Sequence, residues 1–149
     1  MAQKEIYKSE YEVIYFDEER REAMQIWFET TKNIKDDMVK QEQLKMAELF
    51  EQYKPLYHLA DARDFIYPVS PELQHWISTE IATRVKDAGI KKSAMVYSKE
   101  FIAQLSIKQL GDEIAKDIST RDKDVSEDEE YDVQVFASVA DARKWFYGG

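Results

Sequence analysis

Leu56–Ser98 reads LYHLADARDFIYPVSPELQHWISTEIATRVKDAGIKKSAMVYS. Its opening, Leu56–Asp61, is short and mostly apolar. It leaves no room for a helix between Pro55 and the polar segment Asp61–Asp64, so it predicts a buried strand. Ala62–Val69 predicts a loop. Ser70-Pro71-Glu72 is a helix start, with Ser as N-cap, Pro at the first helical position and Glu in the first turn. Leu73, Ile77, Ile81 and Val85 then recur every four residues, Ala88 closes the stripe, and Gly89 suits the residue just past a helix. KSAMVYS (Lys92–Ser98) predicts the next strand. Two strands joined through an amphipathic helix require a crossover, and hence a parallel pair.

The same alternation continues outward in both directions. Toward the N-terminus, Asp36–Tyr53 carries Val39, Met46, Leu49, Phe50 and Tyr53 at helical spacing, with Asp36 and Asp37 where the helix dipole favours anions. Before it, Tyr11–Phe16 (YEVIYF) and Glu22–Phe28 flank a short polar link. In the second run Met24, Ile26 and Phe28 alternate against Ala23, Gln25 and Trp27, as in an antiparallel hairpin. Glu5–Ser9 either extends the first strand or frays. Toward the C-terminus, Glu100–Asp117 reads as a helix through Phe101, Leu105, Leu110 and Ile114. Ser106 and Gln109 form a capping-box pattern that would divide it in two. Arg121–Glu130 reads as an acidic loop, Tyr131–Ala137 as a strand, and Ser138 as the cap of a last helix ending at Phe146. The expectation is one α/β domain over residues 1–149: a mixed, mostly parallel five-stranded sheet with an N-terminal hairpin and four or five helices. Right-handed crossovers restrict its topology to a few choices.

Composition narrows the function. Lys plus Arg number 21 against 30 Asp plus Glu, a net charge of −9. Such a surface repels phosphate backbones and anionic membranes, so nucleic acid is not an expected partner. Nine acidic and three basic residues between Asp112 and Glu130 account for −6 of that charge. The run reads as a solvated loop. No segment has the ~20 apolar residues of a membrane span, and MAQKEIYKSE has no apolar leader core. With no cysteine, disulfides, thiolate metal sites and cysteine nucleophiles are absent, and the expectation is a cytoplasmic protein.

Among chemical motifs, the glycine-rich phosphate cradles and the nucleophile elbow are missing. His58 and His75 lack metalloprotease spacing and further soft ligands, so no metal or cofactor is expected. His58 reads as a core or cleft histidine, His75 as a surface helix residue. Asp61, Arg63, Asp64, Tyr67 and Ser70 follow the carboxyl end of a central strand, where ligands of open α/β sheets bind. They are the binding candidates, together with His58 and Trp76. Against that reading stands an Asp61–Arg63 tie that merely fixes the loop. Trp27, Trp76 and Trp145 read as core or interface. His58 and Asp61 are three apart, so a strand points them to opposite faces. An enzyme built on His58, Asp61 and Arg63 therefore ranks last.

The segments LYHLADARD, VSPELQHWI, AGIKKSAMVYS and VQVFASVADARKWF together resemble the bacterial SpoIIAA-like proteins of the STAS/Sec14-like group, related in fold to anti-sigma-factor antagonists. The clearest marks are AGxxxxAxV (Ala88, Gly89, Ala94, Val96) and FxxxxxARxWF (Phe136, Ala142, Arg143, Trp145, Phe146). The resemblance implies a β-α superhelix with helices mainly on one side of the sheet, and a non-catalytic role. Antagonist members bind a partner kinase and are switched by phosphorylation of a serine at a helix start, in an Asp-Ser-Gly setting. Here Val69 precedes Ser70 and Pro71 follows it, so the switch is not carried over and Ser70 reads as a plain N-cap. The expected function is protein–protein interaction or regulation. It would act through a protein partner or a homodimer formed by the Tyr-rich hairpin face. A Sec14-like carrier of a small lipophilic ligand is the alternative.

Overall fold

The computed structural model describes residues 3–96 and 131–148. The expected helix at Glu100–Asp117, its internal cap and the acidic loop lie outside the described residues. Among the described residues, six strands form one sheet in sequence order: β1 (Gln3–Lys8), β2 (Glu12–Asp17), β3 (Glu22–Trp27), β4 (Tyr57–Asp61), β5 (Lys92–Val96) and β6 (Asp132–Phe136). β1, β2 and β3 pair antiparallel, and β3 through β6 pair parallel. The α/β class, the hairpin and the parallel half agree with the expectation. The strand count does not, because Gln3–Lys8 forms a separate edge strand, with Ser9 in the turn after it, rather than an extension of the next one. Ser9 explains the reversal. Its Oγ accepts from the backbone N–H of Tyr11 at 3.1 Å and of Glu12 at 3.3 Å, and its own N–H donates to the Glu12 carbonyl at 2.9 Å. A serine hydroxyl used in this way closes a turn. A register shift between Glu5 and Tyr7 then re-phases the edge strand, as a bulge does.

α1 (Asp36–Tyr53) connects β3 to β4. It ends at Lys54, whose left-handed φ of 56° comes directly before Pro55. The proline ring disfavours helical backbone in its predecessor, which is why the helix stops there. Between β4 and β5 run α2 (Pro71–Trp76), a π-helical turn (Ile77–Ile81) and α3 (Ala82–Asp87). Ser70 Oγ accepts from Leu73 N at 3.2 Å, so the expected N-cap forms. Gly89 takes the positive φ of 108° that a residue past a helix end needs. The π turn has a reason in the sequence. An apolar stripe repeating every four residues drifts by about 40° per step on a 3.6-residue turn. A wider turn in the middle cancels part of that drift. Leu73, Ile77, Ile81 and Val85 all remain buried as a result, each worth about 1.5–3 kcal/mol. α4 (Val139–Tyr147) begins at Ser138, whose Oγ accepts from Asp141 N at 3.1 Å.

The helices divide between the two faces of the sheet. α1, α2 and α3 cover one, where Ile14, Ala23, Trp27, Met46, Phe50, Leu73 and Ile81 share a core. α4 covers the other, packing Ala142 and Phe146 on Leu59, Ala94 and Val96. The alternation along each strand decides the assignment: in β4, His58 meets Phe50 of α1 with ring centroids 5.0 Å apart, while Leu59 faces α4. No described helix is long and apolar enough to cross a membrane.

Candidate functional site

A chain of polar side chains crosses the sheet beneath α1 and α2. Its members are Glu12 of β2, Gln25 of β3, His58 of β4, Ser93 of β5 and Tyr131 beside β6, and all five are buried. Strand register brings them together, since His58 pairs directly with Ser93 and Ser93 with Val133. Gln25 Nε2 donates to Glu12 Oε1 at 2.8 Å. The Gln25 carbonyl oxygen must then accept, and His58 Nε2 lies 3.0 Å away as its donor. Burial pushes the His58 imidazole down to about 4, so the ring is neutral at physiological pH. With hydrogen on Nε2, Nδ1 accepts from Ser93 Oγ at 3.2 Å. Ser93 Oγ in turn accepts from the Tyr131 hydroxyl at 2.8 Å. Every bond therefore runs donor to acceptor in one direction, from Tyr131 to Glu12. Tyr131 is pushed up to about 12, chiefly by burial, which keeps its donating proton in place.

A second carboxyl stands at the acidic end. Glu42 of α1 accepts from Tyr7 Oη at 3.1 and 3.2 Å and from Ser9 Oγ at 2.9 Å. Glu12 is 0% exposed. Among the described residues its Oε2 has no hydrogen-bond donor. Burial first, and then the hydrogen-bonded contact with Glu42, hold its carboxyl well above the usual carboxylate range. A carboxylate buried without a cation is costly, so this setting favours the protonated form of Glu12, whose Oε2 would then carry a proton to donate. Under His58 and Gln25 lies a cavity of about 60 Å³, bounded by Trp27, Met46, Ile77, Ile81, Val85 and Met95.

The residues expected to form a site are arranged otherwise. Asp61 and Arg63 close on each other: Arg63 Nη2 donates to Asp61 Oδ2 at 2.7 Å, and Nε and the backbone N–H donate to Oδ1 at 2.9 and 3.2 Å. This is the loop tie weighed against a binding role, and Asp61 raises the Arg63 pKa. Asp64 follows in the same loop, its carbonyl accepting from Thr31 Oγ1 at 3.4 Å. Tyr67 donates to Asp36 at the start of α1, and that hydrogen bond, with burial behind it, pushes the phenol up to about 12. Ser70 is occupied with its own helix. Trp76 is half-buried and receives Lys40 Nζ 5.3 Å from its ring centroid. His75 is exposed, as expected. The structure thus separates His58, on the α1 face, from the Asp61–Arg63 pair at the strand end. Among the described residues no group of three or more acidic or histidine side chains is placed to hold a metal ion.

Of the polar chain, only His58 stood out in the sequence. The signal for the others was phase. Glu12 shares the phase of Ile14 and Phe16, Gln25 that of Ala23 and Trp27, and Glu42 falls on the stripe of Val39 and Met46. A polar residue in an apolar phase is a buried polar residue.

The Ala-Arg-Lys-Trp-Phe ending proves to be a docking device for α4. Ala142 and Phe146 are core residues. Arg143 donates to Glu22 at 3.2 and 2.9 Å, and Tyr147 Oη donates to the same carboxylate at 2.6 Å. Trp145 lies under Lys92 Nζ, 5.0 Å from its ring centroid. No family model matches the sequence, and neither a curated protein nor a solved structure is detectably similar to the chain.

Proposed function

We propose that the chain is a non-catalytic interaction module of SpoIIAA-like architecture, cytoplasmic, acting through a protein partner or a second copy of itself. The observation that carries this reading is the sheet. Antiparallel strands lead into parallel strands β3 to β6, and a Ser-capped helix follows β4, as the family resemblance implies. The polar groups at the end of β4 support it further, because Asp61, Arg63, Tyr67 and Ser70 are bonded to the fold itself. The carrier alternative calls for a cavity of ~300 Å³ or more. Among the described residues, the cavity beneath His58 offers about 60 Å³, too small for such a ligand, which supports the interaction module over a carrier using that cavity.

The surface assigned to the partner is the hairpin face opposite α1, where Tyr15 of β2 lies half-buried and pairs across the ladder with Met24 of β3. A photo-cross-linking residue at position 15, introduced into the full chain in its native cells, tests this reading. One discrete adduct, either a second copy or a single partner protein, is expected; excess unlabelled wild-type chain should suppress it, and excess Tyr15→Lys chain should not. Absence of any discrete adduct, together with a monomer in sedimentation, would overturn the proposal.

A further inference from the structure

The cavity beneath the polar chain has an apolar wall and a floor of hydrogen-bonding atoms. Along the floor, the hydroxyl protons of Tyr131 and Ser93 and the Nε2 proton of His58 are already committed. Gln25 has one N–H left over after Glu12. Gln43 of α1 also lines the cavity, and its buried Oε1 has no hydrogen-bond partner among the described residues. An acceptor buried without a donor carries a desolvation penalty that a suitable guest would relieve. The opposite wall is the π turn itself, through Ile77 and Ile81. Such turns are frequent at functional sites.

From these observations we infer that the cavity is a binding site for a small neutral hydroxyl compound, of the short-chain alcohol class. Its O–H donates to Gln43 Oε1, its oxygen accepts the spare Gln25 N–H, and its alkyl end packs on Ile77, Ile81 and Val85. Size follows from proportion. An apolar cavity of about 150 Å³ accepts benzene, with six non-hydrogen atoms, so about 60 Å³ takes roughly two to three of them, the size of methanol or ethanol. Met46 and Met95, both in the lining, have unbranched thioethers that yield to fill or vacate space. Charge is excluded because no ionised side chain borders the cavity to compensate it. A hydrocarbon would leave Gln43 Oε1 unpaired, and water alone would leave the isoleucine wall uncovered. This reading stands apart from the interaction module: one concerns the interior under α1, the other the opposite face of the hairpin.

The test is an NMR titration of the full chain with ethanol, using xenon as an apolar probe and acetate as a charged one. Ethanol should give saturable shifts at the Gln43 side-chain amide and at the Ile77, Ile81 and Met46 methyls, with none from acetate and weaker ones from xenon. Gln43→Leu, on the half-exposed side of α1, should weaken ethanol about tenfold, the value of one hydrogen bond, and should strengthen xenon. Ala82→Val, which narrows the cavity from the lining, should block both probes while leaving the spectrum dispersed. Shifts that never saturate, an ethanol affinity unchanged in Gln43→Leu, or xenon binding as well as the alcohol to the wild-type chain would overturn the inference.

Discussion

Two glutamates are buried in the same sheet, and they are treated in opposite ways. Glu22, 2% exposed, lies on the α4 face and meets the guanidinium of Arg143 and the hydroxyl of Tyr147. Glu12, 0% exposed, lies on the α1 face and meets an amide and a second carboxyl. On one face a cation joins the carboxylate; on the other no cation does, and the carboxyl is pushed toward its protonated form. Burial alone therefore does not decide what a carboxyl contributes; the neighbour does. The α4 face uses its charge to fix one helix in place. The α1 face uses a neutral, directional set of hydrogen bonds to tie β2, β3, β4 and β5 together, with a cavity at its side.

The largest effect should come from breaking the ion pair. Arg143→Met leaves Glu22 buried without its cation, and loss of one partner of a buried pair costs about 3–5 kcal/mol. Chemical denaturation should show it, and a second change, Glu22→Leu, should restore most of the loss. A single variant within 1 kcal/mol of wild type, as is typical of surface pairs, would mean that the pair on the α4 face matters no more than an exposed one.

His58 sharpens the contrast through pH. Its folded-state pKa of about 4 lies below the ordinary 6.5. As pH falls below 6.5 the unfolded chain takes up a proton that the folded chain refuses. The stability this group contributes is thus complete above 6.5 and is lost progressively toward pH 4, by about 3 kcal/mol in all. In His58→Gln this component of the pH dependence should vanish from thermal unfolding curves recorded between those limits. An identical slope in the variant and the wild type would show that His58 ionises freely in the fold.

A smaller effect belongs to Ser70. Ser70→Ala should cost about 1 kcal/mol, the usual value of a lost N-cap, with no dependence on pH. A loss several times larger in thermal denaturation would show that Ser70 does more than cap α2.

How far the sequence revealed this architecture depended on where the side chains carried period. Leu56–Asp61, the Ser-Pro-Glu helix start and KSAMVYS are strong local signals that agree with one another, and the parallel half of the sheet follows them closely. β1 escaped because an edge strand with exposed residues has no apolar phase to read. The π turn was written in the four-residue stripe, yet a stripe of that spacing looks like an ordinary helix unless its drift is counted. In the candidate site, the Asp61–Arg63 cluster was conspicuous because its residues are adjacent. The polar chain was not, because its members come from four strands and from Tyr131 just before β6, and only the sheet assembles them. Hydrogen bonds between residues that are 13, 33, 35 and 38 positions apart leave no local mark.

The most direct test of the whole account is the protonation of Glu12, read as the carboxylic-acid carbonyl band in the infrared spectrum of the folded chain at neutral pH. The directional hydrogen-bond chain predicts a protonated-carboxyl band that disappears in Glu12→Gln while the fold persists. The same replacement should relieve the decline in stability above the ordinary carboxyl pKa, since Glu12's raised pKa makes the folded state hold a proton that the unfolded state releases. No such band in the wild-type chain, or one that survives Glu12→Gln and disappears in Glu42→Gln, would contradict it.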